Sequence, residues 1–154
     1  MRRLDKKITD PSVIDDILLH SDICRLGLVD NDEAYIVPVN YAYQDGIIYI
    51  HSAFAGRKME LLKTNNRVSF EIELHHEIIK SDVPCGWTAK YRSLMGKGFV
   101  TIDNDNAAKK LGMDLIMRKY GADMELNYEE GSLSRMTMLL LTIESVTGKQ
   151  SGSW

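Results

Sequence analysis

The stretch ICRLGLVDNDEAYIVPVNYAY, residues 23–43, decides the fold, because it alternates on both sides of a polar turn. Cys24, Leu26 and Leu28 point one way while Ile23, Arg25, Gly27 and Val29 point the other, the period of two expected of a half-buried strand. The turn Asp30-Asn31-Asp32-Glu33 leads into Tyr35, Val37, Val39, Tyr41 and Tyr43, a second alternating run of aromatic and β-branched residues. Pro38 lacks an N–H to give to a ladder, so it marks a bulge or a sheet edge.

Working outward, Asp10-Pro11 reads as an N-cap followed by proline in the first turn, and Val13, Ile14, Ile17 and Leu18 form the apolar stripe of a helix over 11–20. Downstream, Gln44-Asp45-Gly46 makes a tight hairpin into a strand over Ile47–Ala53. Gly56 opens a short helix, Arg57–Thr64, with Leu61 and Leu62 on its buried side and Asn65-Asn66 at its end. Val68, Phe70, Ile72 and Leu74 then alternate with polar residues in a fourth strand, and a long loop is expected over 75–88. Lys90–Ile102 reads as a long strand bent at Gly96 and Gly98, where another group approaches closely. Asp103–Asp105 caps a helix reaching about Tyr120, with Leu111, Leu115 and Ile116 on its apolar face and Gly121 as its stop. A weak helical turn near 129–135 precedes the last strand, Thr137–Ser145, which is apolar on both faces from Met138 to Leu141 and therefore central. These elements predict a mainly β domain with flanking helices, spanning residues 1–154, whose six antiparallel strands curl into a split β-barrel that leaves no long exposed edge.

Composition bounds the function without naming it. The 154 residues are 44% hydrophobic and 27% charged, and a formal net charge of −3 gives no general attraction to nucleic acid or anionic lipid, so any anion site must be local. The longest apolar stretch lies within Met136–Ile143, far short of the ~20 residues that span a bilayer. The charged N-terminus has no apolar signal core behind it, and Cys24 and Cys85 are too few for a disulfide framework or a zinc site. The expectation is a cytoplasmic protein with free thiols and no nucleic-acid or membrane partner. His75-His76 beside Glu77 reads as a solvated loop pair, so no metal is expected.

The chemistry concentrates in His51-Ser52-Ala53-Phe54-Ala55-Gly56-Arg57-Lys58, where a strand ends and a helix begins. Helix N-terminal amides, a hydroxyl and two adjacent cations converge there, an arrangement that stabilises a phosphate. The same residues also suit a plain turn followed by solvated helix residues. His51 is open to two roles, a hydrogen-bonded histidine at a strand end or a group that donates protons in a reaction.

Ordered blocks along nearly the whole chain resemble the pyridoxamine-5′-phosphate-oxidase-related flavoproteins, and in particular the 5-nitroimidazole resistance (Nim) proteins. They are Cys24–Leu28, Tyr35–Tyr41, the Asp45-Gly46 hairpin, His51–Lys58 and Trp87–Ser93. The resemblance implies an FMN-binding split barrel in which two subunits share two flavins across a homodimer interface. It implies that Ser52, Arg57 and Lys58 grip the flavin phosphate and that Val37, Pro38, Val39 and Asn40 line the ring. His51 lies near the flavin as the tentative catalytic residue, and Trp87, Tyr91, Arg92 and Ser93 reach in from the partner subunit. Arg25 is left between two roles, a ligand of the phosphate or ribityl chain and a salt bridge at the barrel mouth; Trp87 also suits an ordinary interface. The Arg-Leu-x-Pro segment by which the vitamin-B6 oxidases hold their substrate is missing from the C-terminus, Thr147–Trp154, which turns the expectation away from vitamin oxidation. What remains is a flavin-dependent oxidoreductase acting on nitroimidazole-type or other small electron-poor acceptors. FAD is the alternative to FMN, and a flavin carrier or sensor, or a haem-handling barrel using His51, is the alternative to an enzyme.

Overall fold

The computed structural model describes residues 3–129 and 131–154. Met1, Arg2 and Glu130, which the sequence reading put in the charged N-terminus and in the turn near 129–135, lie outside the described residues. The elements run β1 (Lys7–Ile8), α1 (Pro11–His20), β2 (Ile23–Asp30), β3 (Glu33–Asn40), β4 (Ala42–Gln44), β5 (Ile47–Ser52), α2 (Arg57–Thr64), β6 (Arg67–Ile79), β7 (Thr88–Asp103), α3 (Asn106–Lys119) and β8 (Thr137–Ser151). Short 3₁₀ turns add to these at Leu4–Lys6, Pro84–Gly86 and Leu133–Arg135, the last within the expected weak turn.

Local signals placed most of these elements well. The Asp10 carboxylate accepts from the Ser12 amide at 2.9 Å with Pro11 beside it, and α1 buries Ile17 and Leu18. Cys24, Leu26 and Leu28 of β2 are buried while Arg25 and Ile23 face outward, as the alternation requires. Asp45 and Gly46 both take positive φ, 51° and 81°, the two-residue hairpin geometry that matches strand twist. β8 lies between β5 and β7 and also pairs β1, so the strand that is apolar on both faces is central.

The barrel expectation is corrected. Among the described residues the strands number eight, all pairings are antiparallel, and the main path runs β3-β2-β6-β7-β8-β5-β4 with β1 joined to β8. The path ends at β3 and β4, and no ladder joins the two, so the sheet is not closed into a barrel. The reason lies at Tyr41. The alternation of Tyr35 to Tyr43 continues through this residue, but the hydrogen-bonded strand stops at Asn40 and resumes at Ala42 on the opposite end of the sheet. Tyr41 itself is fully buried and donates its hydroxyl to the Leu18 carbonyl at 2.9 Å.

Two further expectations change. The loop expected over 75–88 is shorter: β6 continues to Ile79, which pairs with Thr88, and residues 80–87 form the connection. His75, at φ 59°, is the extra residue of a bulge between Leu74 and His76, and this insertion broke the alternation on which the sequence reading depended. On α3, Leu111 is 47% exposed, and the buried side is Lys109, Gly112 and Ile116. A Cβ on Gly112 would collide with the Met138 side chain, so close packing there turns Leu111 outward. The bend in β7 is as expected: a Cβ at Gly98 would strike the Thr142 carbonyl, and the register against β8 shifts between Lys97 and Gly98.

Candidate functional site

One end of the sheet gathers the phosphate-type residues. β5 ends at Ser52, which is buried and lies opposite Thr137, and after residues 53–56 the chain enters α2 at Arg57. Gly56 is the N-cap at φ 112°, a conformation that disfavours any side chain, and no side chain caps the helix. Its carbonyl accepts from the Met59 and Glu60 amides at 2.9 and 3.1 Å, which leaves the Arg57 and Lys58 N–H groups for a ligand.

The cations there differ in state. Arg57 gives Nε to Asp30 Oδ2 at 2.6 Å and Nη2 to Asp30 Oδ1, and its Nη1 lies 3.4 Å from Glu60. Lys58 is half-buried, has no ion pair among the described residues, and is pushed below its ordinary range by burial. His51 lies beside it. Its pKa is lowered first by burial and then by the Lys58 charge, which favours a neutral imidazole near neutral pH. The sequence missed one neighbour: Lys109 of α3, 4% exposed, places Nζ 5.3 Å from the centre of the Phe54 ring in the 53–56 segment. In Asn106-Ala107-Ala108-Lys109-Lys110 nothing separates it from a solvated helix lysine, and the packing of α3 alone reveals its burial.

Val37, Pro38, Val39 and Asn40 stand on β3, opposite Leu26, Arg25, Cys24 and Ile23. β3 ends the sheet path, so its outer backbone groups have no ladder partner, and Pro38 is exposed on that edge as expected. Asn40 Nδ2 donates to the Tyr120 hydroxyl at 3.2 Å. Arg25 is paired with Glu71 at 2.8 Å on the outer face of the sheet, in a salt bridge across β2 and β6. It forms part of a groove of about 580 Å³ whose walls include Ile36, Met95, Lys97 and Gly27. Ile36 and Met95 are 66% and 65% exposed.

The remaining expected residues are elsewhere. Trp87 gives its indole N–H to the Ser81 carbonyl at 2.7 Å, and Tyr91 is half-buried opposite His76 and Ser151. Arg92 reaches Gln150 at 3.3 Å and Asp16 at 3.5 Å, and its guanidinium lies 4.2 Å from the Trp154 ring centre. Ser93 pairs with Glu73 and Lys149. Ser52 faces Thr137 while Ser93 faces Lys149, so about a dozen residues of β8, roughly 40 Å of strand path, separate the two groups within one chain. Among the described residues no His, Cys, Asp and Glu group could hold a metal, and Cys24 and Cys85 are free. No described helix is long and apolar enough to cross a membrane.

Comparison with known proteins gives the family. Residues 10–150 match the pyridoxamine 5′-phosphate oxidase family model, and the chain belongs to that family. It is thereby an oxidoreductase of the flavin-dependent kind that its sequence resembles. Among solved structures it is similar to a candidate 5-nitroimidazole antibiotic resistance protein from Bacteroides thetaiotaomicron. The two share 29% identity over 93% of this chain and 85% of the other, with a TM-score of 0.83. A flavocytochrome from Azotobacter vinelandii shares the fold at 15% identity and TM-score 0.82, over 99% and 72% of the two chains. An FAD and heme binding protein from Mycobacterium smegmatis shares it at 17% identity and TM-score 0.82, over 97% and 75%. No curated protein matches the chain in sequence.

Proposed function

We propose that the chain binds FMN with its phosphate at the start of α2, and uses it in the cytoplasm to reduce small electron-poor acceptors of the nitroimidazole type. The observation carrying this reading is a half-buried, unneutralised Lys58 beside uncapped helix amides, a place where an anion would satisfy both. Ser52 supplies the hydroxyl. Arg57 joins by exchanging its Asp30 contact for the phosphate, which weakens its contribution relative to Lys58. The unpaired edge of Val37 to Asn40 offers backbone groups to the flavin ring, and His51 stands where it can hydrogen-bond the ring or protonate an acceptor. Arg25 serves the ribityl chain only after leaving Glu71.

Trp87, Tyr91, Arg92 and Ser93 lie about a dozen β8 residues from the Ser52 end along the sheet, a separation that fits a homodimer in which the partner supplies them. The exposed Ile36 and Met95 give the outer sheet face an apolar surface for a second copy. The bound flavin supplies the redox step, taking electrons from a donor and passing them to the acceptor, while the protein positions it and tunes its surroundings. FAD remains compatible with a site open at this end.

The test is titration of the apo-protein with FMN, followed by anaerobic mixing of the chemically reduced holoprotein with a nitroimidazole. Saturable binding and reoxidation of the flavin by the nitroimidazole are expected, with pyridoxamine 5′-phosphate failing to reduce the oxidised form at a comparable rate. A haem absorption band in place of a flavin band, or rapid oxidation of pyridoxamine 5′-phosphate, would overturn the reading.

A further inference from the structure

The positive charge at the start of α2 is not where the sequence puts it. Arg57 carries two carboxylates, Asp30 and Glu60, so its charge is already matched. Lys58 is one unmatched cation, and Lys109 is a second. The position of Lys109 follows from a chain of contacts: Ser52 pairs with Thr137, and the Thr137 hydroxyl donates to the Asp103 carbonyl at 3.1 Å. Asp105 then caps α3, and the Lys109 amide bonds the Asp105 carbonyl one turn on. The first turns of α3 therefore stand beside the end of β5, and the Lys109 ammonium faces Phe54 in the segment that leads into α2.

The Lys109 side chain is nearly buried, and cations so placed are normally paired. The nearby carboxylates are used elsewhere: Asp105 accepts from the Ala107 and Ala108 amides at 2.8 and 3.2 Å, and Asp103 accepts from the Asp105 amide at 2.8 Å. Lys109 forms no side-chain hydrogen bond or ion pair among the described residues; its one polar-type contact is with the face of Phe54. We propose that Lys109 is a further cofactor-binding residue, the cation that with Lys58 neutralises the phosphate of the bound flavin nucleotide. The proposal rests on the phosphate reading of the site and adds a ligand from a third element, α3, to those on β5 and α2.

The test compares FMN with riboflavin, which lacks the phosphate, in titrations of apo-protein followed by flavin fluorescence. Lys109→Met keeps the length and apolar stem and removes the charge. It is expected to weaken FMN binding at least about tenfold, the scale of one charge-assisted hydrogen bond, and riboflavin binding less than about twofold. Lys110→Met, which removes an exposed lysine bonded to Asp114 at 2.7 Å, is expected to change neither. Lys109→Gln serves if the methionine variant does not fold. Equal factors for the two flavins, or no change in either, would overturn the role of Lys109 while the wild-type preference for FMN stands. A wild-type protein that binds the two flavins alike would instead remove the phosphate reading itself, and Lys109 with it.

Discussion

The two ends of the sheet hold similar residues in opposite states. Near Arg92 the polar groups are satisfied within the chain: Arg92 is shared among Asp16, Gln150 and Trp154, Lys90 lies 4.4 Å from the same indole, and Trp87 is bonded to Ser81. At the start of α2 the amides are uncapped, and Lys58 and Lys109 have no counter-ions among the described residues. A cation with its partners in place does structural work, whereas one held half-buried without them beside uncapped helix amides is suited to an anion. On the proposed function the cofactor phosphate belongs to the second end, and the first would be a preformed surface that meets the cofactor from the partner.

The largest effect that would sharpen this contrast is chemical. If His51 protonates the acceptor, His51→Ala slows anaerobic reoxidation of reduced, flavin-loaded protein by about two orders of magnitude in stopped-flow traces, and by much less if it only packs. The depressed pKa adds a sign: in the wild type the rate rises as pH falls from neutral through the His51 range, and the alanine variant loses that rise.

Next in size is loss of the cradle charge. Arg57→Ala with Lys58→Ala lowers FMN affinity at least about tenfold with folding retained, since Leu61 and Leu62 on the buried side of α2 are untouched. Of the two single variants, Lys58→Ala has the larger effect, because Arg57 must first give up Asp30. Equal binding by wild type and double variant, with unchanged circular dichroism, would break the contrast. At the opposite end, Arg92→Ala has a structural cost as well: about 1 kcal/mol of stability in a urea titration, the order of one partly exposed ion pair with a long hydrogen bond to a neutral amide.

The smallest effect concerns Lys119, whose buried Nζ has no hydrogen-bond partner among the described residues and lies 3.2 Å from the centre of the Tyr41 ring. Burial pushes it down to about 8, so between that value and the ordinary lysine range the unfolded chain holds more protons than the fold. Its contribution to stability therefore rises with pH through this window, and the cost of burying the charged form is complete and constant below about 8. Cys24, pushed up to about 12 by burial, acts in the opposite direction at higher pH, so the informative quantity is the difference from Lys119→Met. The variant's stability relative to wild type is expected to decline from pH 7 to pH 9 in urea titrations; parallel pH profiles would contradict this.

Much of this architecture was legible where a local signal sets the structure. The Gly56 cap and the Leu61-Leu62 stripe gave α2 its observed bounds, and the alternation of β2 gave its buried face. Legibility failed where the cause is distant in sequence. The barrel was expected because strands joined by hairpins would otherwise leave long edges, but the chain changes sheet ends at Tyr41 while the alternation of β3 continues across it, and an open path is found. The bulge at His75 hid half of a long hairpin. At the site, Arg57 and Lys58 look alike in sequence, and their difference arises from Asp30, distant in the chain and brought next to Arg57 by the fold. Lys109 reads as a surface lysine until Gly112 seats α3 against Met138.

The central claim is that one flavin site draws on the cradle of one chain and the Trp87–Ser93 segment of another. Mixed dimers test it most directly. Arg57→Ala/Lys58→Ala protein carrying one affinity tag is co-expressed with Trp87→Ala/Arg92→Ala protein carrying a second, and dimers bearing both tags are isolated and titrated with FMN. If the site is shared, each mixed dimer contains one site with both defects and one with neither, so one FMN per dimer binds with wild-type affinity although each parent binds poorly. If every site is built within one chain, each retains a defect, and failure of the mixed dimers to regain any tight site would contradict the account.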